Sequence, residues 1–411
     1  ILQEYLVPGY RRLILGDHTE RSKTSTHSAR NISAYIAVIV VSVLLLVLGN
    51  RIAASNLNIF DEEYSEDVLK ARVIEIESRE VERFDLDETS SIETIRIVFR
   101  AKVLSGYLKG EVISATQTID QFVLTNAREV SVGDKVLLIL TDLENYQWHF
   151  MEYVRSDKIM ILGASFIMAL LIFGRKKGFN TILSLALTCG AIFLVFIPSI
   201  LSGKNIYVWT SLICVYSVLS TYLIVNGFTK KTTAAIVGCL CGILLTSILT
   251  IFMDRVLSLT GVIDEDSVYL TYLPTEKPIN LRAIIFAGIQ IGALGAIMDV
   301  AMSISSSLWE VCEESSSPSF RSLFRSGLNI GRDVLGTMAN TLILAYIGSS
   351  LAVVLLLSVY SSSVLYLFNR EMIVVELLQA LVGSFGLLFT MPFTSFVSAL
   401  LYIGRKDPYQ K

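Results

Sequence analysis

A carboxylate inside an apolar run is the group in this chain best placed to do chemistry. Asp299 sits near the end of Ala287-Gly288-Ile289-Gln290-Ile291-Gly292-Ala293-Leu294-Gly295-Ala296-Ile297-Met298-Asp299-Val300. An ionised side chain in hydrocarbon costs about 2.5–3.5 kcal/mol on insertion scales, so it must face protein or water. At helical spacing Gly288, Gly292 and Gly295 share its face, Ser303 and Ser306 extend it, and Gln290 lies to one side. Such a stripe suits contact with an ion, a proton or a small solute. It equally suits a helix–helix hydrogen bond, or an interfacial aspartate that reaches water. The next polar stretch, Ser326-Gly327-Leu328-Asn329-Ile330-Gly331-Arg332-Asp333, supplies Arg332 as a partner for Asp299 or for Asp333, with Asn329 beside it. Asn340 and Thr341 carry the polar character on towards the membrane core. The pathway reading requires that this stripe be sheltered from hydrocarbon.

Other chemistries lose their residues. All three histidines, His18, His27 and His149, fall outside the apolar runs, which removes an intramembrane Ser–His dyad and a histidine-rich metal site. Asp299 has no second deep aspartate with which to share a proton; Asp254 and Asp333 are interfacial. There is no G-x-x-x-x-G-K-[ST] phosphate loop. Cys189, Cys214, Cys239, Cys241 and Cys312 show no metal-ligand spacing and read as small packed side chains. No catalytic residue, metal or cofactor is expected, the chain does not read as an enzyme, and nothing marks a nucleic-acid partner.

The elements that must position the stripe follow from composition. The chain is 53% hydrophobic and only 17% charged, against about 25% charged for soluble domains. A membrane-crossing helix needs roughly 20 mostly apolar residues. Eight runs qualify, at 32–49, 158–174, 180–201, 206–227, 232–253, 281–304, 335–359 and 375–404, with Pro392 a kink in the last. In the fifth, Gly238 and Gly242 form a G-x-x-x-G packing motif, a role that Gly288, Gly292 and Gly295 share in the sixth. Otherwise the first five spans read as aliphatic and uninformative. Residues 1–31 form a basic leader and 32–50 an uncleaved signal anchor. With the leader cytoplasmic, alternation puts Arg175-Lys176-Lys177, Lys230-Lys231, the 305–334 loop and the 405–411 tail inside as well. Asp299 then lies about 17 residues, or roughly 25 Å, below the outer boundary.

Residues 51–157 differ, with 21 acidic against 12 basic side chains and no cysteine. Here the apolar period is two, as in Ile95-Arg96-Ile97-Val98-Phe99-Arg100-Ala101-Lys102-Val103 and in Val136, Leu138 and Leu140. Ser105-Gly106, Lys109-Gly110 and Val132-Gly133-Asp134 mark turns. A small extracytoplasmic all-β domain, barrel or sandwich, of five to six strands is expected. The charge-rich segments 54–67 and 77–92 read as loops or short helices. Trp148 and Phe150 either fill the core of this domain or anchor at the headgroups.

The two polar motifs, together with Gly336-Thr337-Met338-Ala339-Asn340-Thr341-Leu342-Ile343-Leu344-Ala345-Tyr346, resemble the YibE/F-like family of bacterial multi-pass membrane proteins. The likeness extends to the whole layout, from anchor through β-domain to the eighth span. It implies an α-helical polytopic protein of the bacterial plasma membrane and a permease for an unknown solute or ion. The alternative is a non-transporting scaffold or assembly factor whose β-domain binds an extracytoplasmic protein. The lipid bilayer is the one certain partner, and a homo-oligomer is compatible with either reading.

Overall fold

Alternation along 95–103 becomes the wall of a closed barrel in the computed structural model, which describes residues 33–54, 68–87, 90–120, 128–142, 147–273, 275, 277–315, 318–360 and 363–403. Ile95, Ile97, Phe99, Ala101 and Val103 are buried, whereas Arg96, Arg100 and Lys102 point to solvent. The five strands are β1 (Val68–Asp87), β2 (Ser90–Val103), β3 (Val112–Asp120), β4 (Lys135–Asp142) and β5 (Gln147–Tyr153). They close in the order β1-β2-β3-β5-β4, with β3 and β5 parallel and every other pair antiparallel. This is the strand order of the five-stranded OB barrel. Trp148 lies in its core rather than at a headgroup, and Phe150 packs against that core.

One expectation is corrected. Residues 77–87 and 90–92 are neither loop nor helix, because β1 and β2 continue as a long ribbon, pairing Glu80 with Arg96 and Arg83 with Glu93. Along β1 the ribbon is exposed from Arg79 to Arg83, so those residues leave no apolar alternation. Cross-strand charge pairs such as Arg83–Glu93 (2.6 Å) accompany its backbone ladder instead. Segment 55–67 lies outside the described residues.

Arg79 on β1 clasps Glu129 through two hydrogen bonds of 2.9 Å, and this hydrogen bonding, aided by the charge, holds that carboxyl below the ordinary glutamate range. A depressed carboxylate stabilises the fold above its ordinary value and loses that contribution as pH falls through the folded one. Acidification below about pH 4 is therefore expected to speed hydrogen exchange in segment 128–130 before the amides of β2 respond. Equal protection of both at pH 3 would contradict this.

The barrel and the start of the helix that leaves it at Ser156 form one compact unit, Asn58–Ile172; the chain before it and the chain from Phe173 onward form a second. Within the first unit, Asp157 at the start of the helix receives Lys70 of β1 (2.7 Å) and Lys135 of β4 (2.5 Å), so two strands grip the exit of the chain.

The helices are α1 (Ser33–Ala53), α2 (Ser156–Leu201), α3 (Ile206–Asn226), α4 (Lys230–Val256), α5 (Glu265–Thr271), α6 (Leu281–Glu314), α7 (Phe320–Ser349), α8 (Leu351–Tyr360), α9 (Val364–Asn369) and α10 (Glu371–Ile403). Among the described residues six of them, α1, α2, α3, α4, α6 and α10, are long and apolar enough to cross a membrane. At 46 residues α2 holds more than twice the roughly 20 residues that one crossing needs. It breaks at Arg175, whose φ of 47° and ψ of −124° are non-helical. The break falls between the predicted spans 158–174 and 180–201. The predicted span 335–359 divides between α7 and α8, which part at Ser350. Its apolar residues are thus split between a helix that begins amphipathic and a short continuation. α10 stays one helix through Pro392 and packs against α4, α6 and α7, which makes it the axis of the bundle.

Candidate functional site

Aliphatic residues decide which face of α6 goes inside. Ile289, Ala293, Ile297, Val300 and Ile304 are buried against the neighbouring helices. Gly288, Gly292, Gly295, Asp299 and Ser303, on the other side, are all exposed. Hydrocarbon gives no hydrophobic reward for turning either face inward, so the aliphatic ridge is placed inside by its van der Waals fit to the neighbouring helices. Of the residues singled out on α6, Gln290 alone points into the core, at 2% exposure.

The α7 group is outward too. Asn329, Arg332, Asp333, Asn340 and Thr341 are exposed, while Leu323, Gly327, Gly331 and Leu342 form the buried ridge. Among the described residues Asp299 pairs with neither Arg332 nor any other group, and the expected Arg332–Asp333 pair is likewise not formed. Thr341 Oγ1 donates to its own helix at Thr337 O (2.9 Å). On the N-terminal half of α6, Tyr346 of α7 lies over Gly292 and Gln379 of α10 beside Gly288. The Tyr346 hydroxyl and Glu376 Oε2 are buried atoms without a hydrogen-bond partner.

Gln290 leads to a site that the sequence reading missed. Its Nε2 donates to Thr250 Oγ1 on α4 (3.3 Å), and its Oε1 has no partner. Thr250 belongs to a four-residue repeat along α4: Gly238, Gly242, Thr246, Thr250, Asp254. All but Asp254 are buried, and Asp254 Oδ1 is itself inaccessible and unpartnered. α10 answers with Gly386, Thr390 and Thr394. A methyl at Gly238 would overlap Thr394, one at Gly242 would overlap Thr390, and one at Gly386 would overlap Thr246. Glycine on one helix thus receives a threonine of the other, three times in succession.

Most of these hydroxyls return to their own helix, as Thr246 does to Gly242 O (2.8 Å) and Thr390 to Gly386 O (2.7 Å). Thr394 Oγ1 has no partner. The column ends where Ser305 of α6 donates to Lys231 O (2.7 Å) and meets the Tyr402 hydroxyl (2.7 Å). Its opposite end is a cavity of about 10 Å³ bordered by Asp254, Thr250, Tyr207 and Arg282, room for a single water. From Lys231 to Asp254 the helix rises roughly 35 Å, which exceeds the hydrocarbon thickness of about 30 Å. A buried polar seam therefore runs the length of the bundle between α4, α6 and α10. Its sequence signal was the four-residue spacing of small and hydroxyl residues that continues past Gly242.

Apolar helices gathered around such a seam, with a β-barrel inserted in sequence between α1 and α2, define a polytopic membrane protein. The chain belongs to the YibE/F-like family, whose sequence pattern matches residues 162–404. That match covers nearly all of α2 and every later helix, and it begins beyond the barrel. No curated protein and no solved structure matches the chain.

Proposed function

We propose that the protein is a permease for a small ion or polar solute, and that the route follows the α4–α6–α10 seam rather than the Asp299 face. The observation that carries this reading is the bilayer-long column with unpartnered buried atoms at Gln290, Thr394 and Asp254. Buried polar groups without partners are costly and are kept where a passing ligand or water can satisfy them. Eight spans, with both termini cytoplasmic in a bacterial plasma membrane and the barrel extracytoplasmic, accommodate the Lys and Arg distribution. No covalent chemistry, metal or cofactor enters this reading.

In proteoliposomes under an imposed potential, the full chain should raise proton, sodium or potassium flux above that of empty vesicles. Gln290→Leu should lower that flux about tenfold, the worth of one lost polar contact, with the helical fold retained. Vesicles no leakier than empty ones, or full flux in the variant, would withdraw the seam as a route for ions.

The barrel supports a second reading, a scaffold that captures an extracytoplasmic protein. Its mouth opens a cavity of about 930 Å³ lined in part by Gln117, Arg128, Phe150 and Tyr153. Deleting residues 55–155 should abolish partner capture on that reading and leave Gln290→Leu without effect.

A further inference from the structure

A membrane helix that exposes both a carboxylate and a run of glycines is incomplete as a single chain. The outward face of α6 carries Gly288, Gly292, Gly295 and Asp299. α7 forms one wall beside it. Tyr346 lies over Gly292, and Gly327 meets Leu308 at the far end, so the two helices run antiparallel in a known register. By that register Asp299 stands level with α7 near Thr337, and Arg332 about one and a half turns further along. Arg332, Ala339 and Tyr346 repeat every seven residues, which puts Arg332 on the ridge of α7 that adjoins the α6 glycines.

We infer that this face is a self-association surface and that a second copy of the chain covers it. Three properties select that occupant. The face carries both signs, Asp299 and Arg332, each without an ion pair among the described residues. A surface with both signs is complementary to itself, whereas an anionic lipid headgroup matches only the arginine. A two-fold axis along the bilayer normal keeps every residue at its own depth, so the Asp299 of one copy comes within a turn or two of the partner subunit's Arg332. Gly295, next to Asp299 on that face and with nothing within 4 Å of a Cβ built on it, then admits the second backbone closely enough for those groups to meet. This surface lies on the side of α6 opposite the buried seam, so association and flux are separate properties.

Gly295 supplies the decisive variant, because nothing lies within 4 Å of a Cβ built there. Gly295→Trp should leave the folded chain intact and block the second copy. The full-length protein in nanodiscs or lipid vesicles, counted by single-molecule photobleaching across a range of dilutions, should be dimeric. Gly295→Trp should be monomeric, with unchanged helical content and protease pattern. Asp299→Asn should raise the dimer dissociation constant about three- to tenfold, the range for one polar contact between membrane helices. Asp299→Arg and Arg332→Asp should each weaken the dimer and the double exchange should restore it. A wild-type monomer at every dilution, which would leave lipid as the occupant, overturns the inference. So does a Gly295→Trp dimer as tight as wild type, which would put the interface elsewhere.

Discussion

Gly242→Ala is expected to destabilise the helical bundle by about 1–3 kcal/mol, the cost of overpacking a filled interface. Helix propensity argues the opposite way, since alanine is better than glycine by about 1 kcal/mol in a helix interior. The sign of the result therefore reports which effect governs α4. A methyl at this position overlaps the Thr390 hydroxyl, and it also comes within 3.2 Å of Thr390 Cβ and 3.3 Å of Gly386 O. The Thr390 hydroxyl bonds only to its own helix, at Gly386 O. Thr390→Ala thus removes the obstruction without breaking a bond between helices. Combined with Gly242→Ala it should recover part of the loss, with a coupling of about 0.5–3 kcal/mol between the two sites. Unfolding of the detergent-solubilised protein by heat or by denaturing detergent measures both. A stabilised Gly242→Ala, or strict additivity of the pair, would mean that α4 and α10 are not interlocked there.

The second large effect is expected in the barrel. Phe99 is fully buried, paired across the sheet with Ile76 on one side and Ala115 on the other. Phe99→Ala should cost about 3–5 kcal/mol, from lost transfer energy and the cavity left behind. A domain's whole stability is about 5–15 kcal/mol, so that loss is a large share of it. Arg100, the next residue, is exposed, and Arg100→Ala should stay within about 0.5 kcal/mol. Hydrogen exchange resolves the two. Amides of β2 and β3 should lose protection in Phe99→Ala while those of α4 and α10, in the other compact unit, keep theirs. Loss of protection throughout the chain would show the two units to be coupled in folding.

The contrast between Phe99 and Arg100 explains why the barrel was legible in the sequence. One side of each strand meets water, so burial leaves a period of two that a reader can count. The reading failed where that condition failed, in the 77–92 ribbon. There the β1 side chains from Arg79 to Arg83 are all exposed, and pairing such as Arg83 with Glu93 depends on residues ten apart meeting across the ladder. The G-x-x-x-G of α4 could be seen in advance, but its complement of threonines on α10 could not. Nothing in residues 230–256 says which later helix they will touch.

What the amino-acid order determined alone was the set of elements: apolar runs long enough to span a bilayer, a strand-forming insertion after the first, and the motifs of the YibE/F-like family. Only the tertiary structure decided which way each helix faces. Lipid removes the usual signal, because an outward leucine costs nothing in hydrocarbon and apolar residues occupy both sides of a span. Phe173 is 88% exposed and Leu387 fully buried, yet neither is distinguished by its neighbours in sequence. A polar stripe drew attention to Asp299, and the packing of aliphatic ridges turned that stripe outward. The same packing took Gln290 and the α4 threonines inward. Orientation follows from complementarity between surfaces distant in the chain, which no local pattern contains.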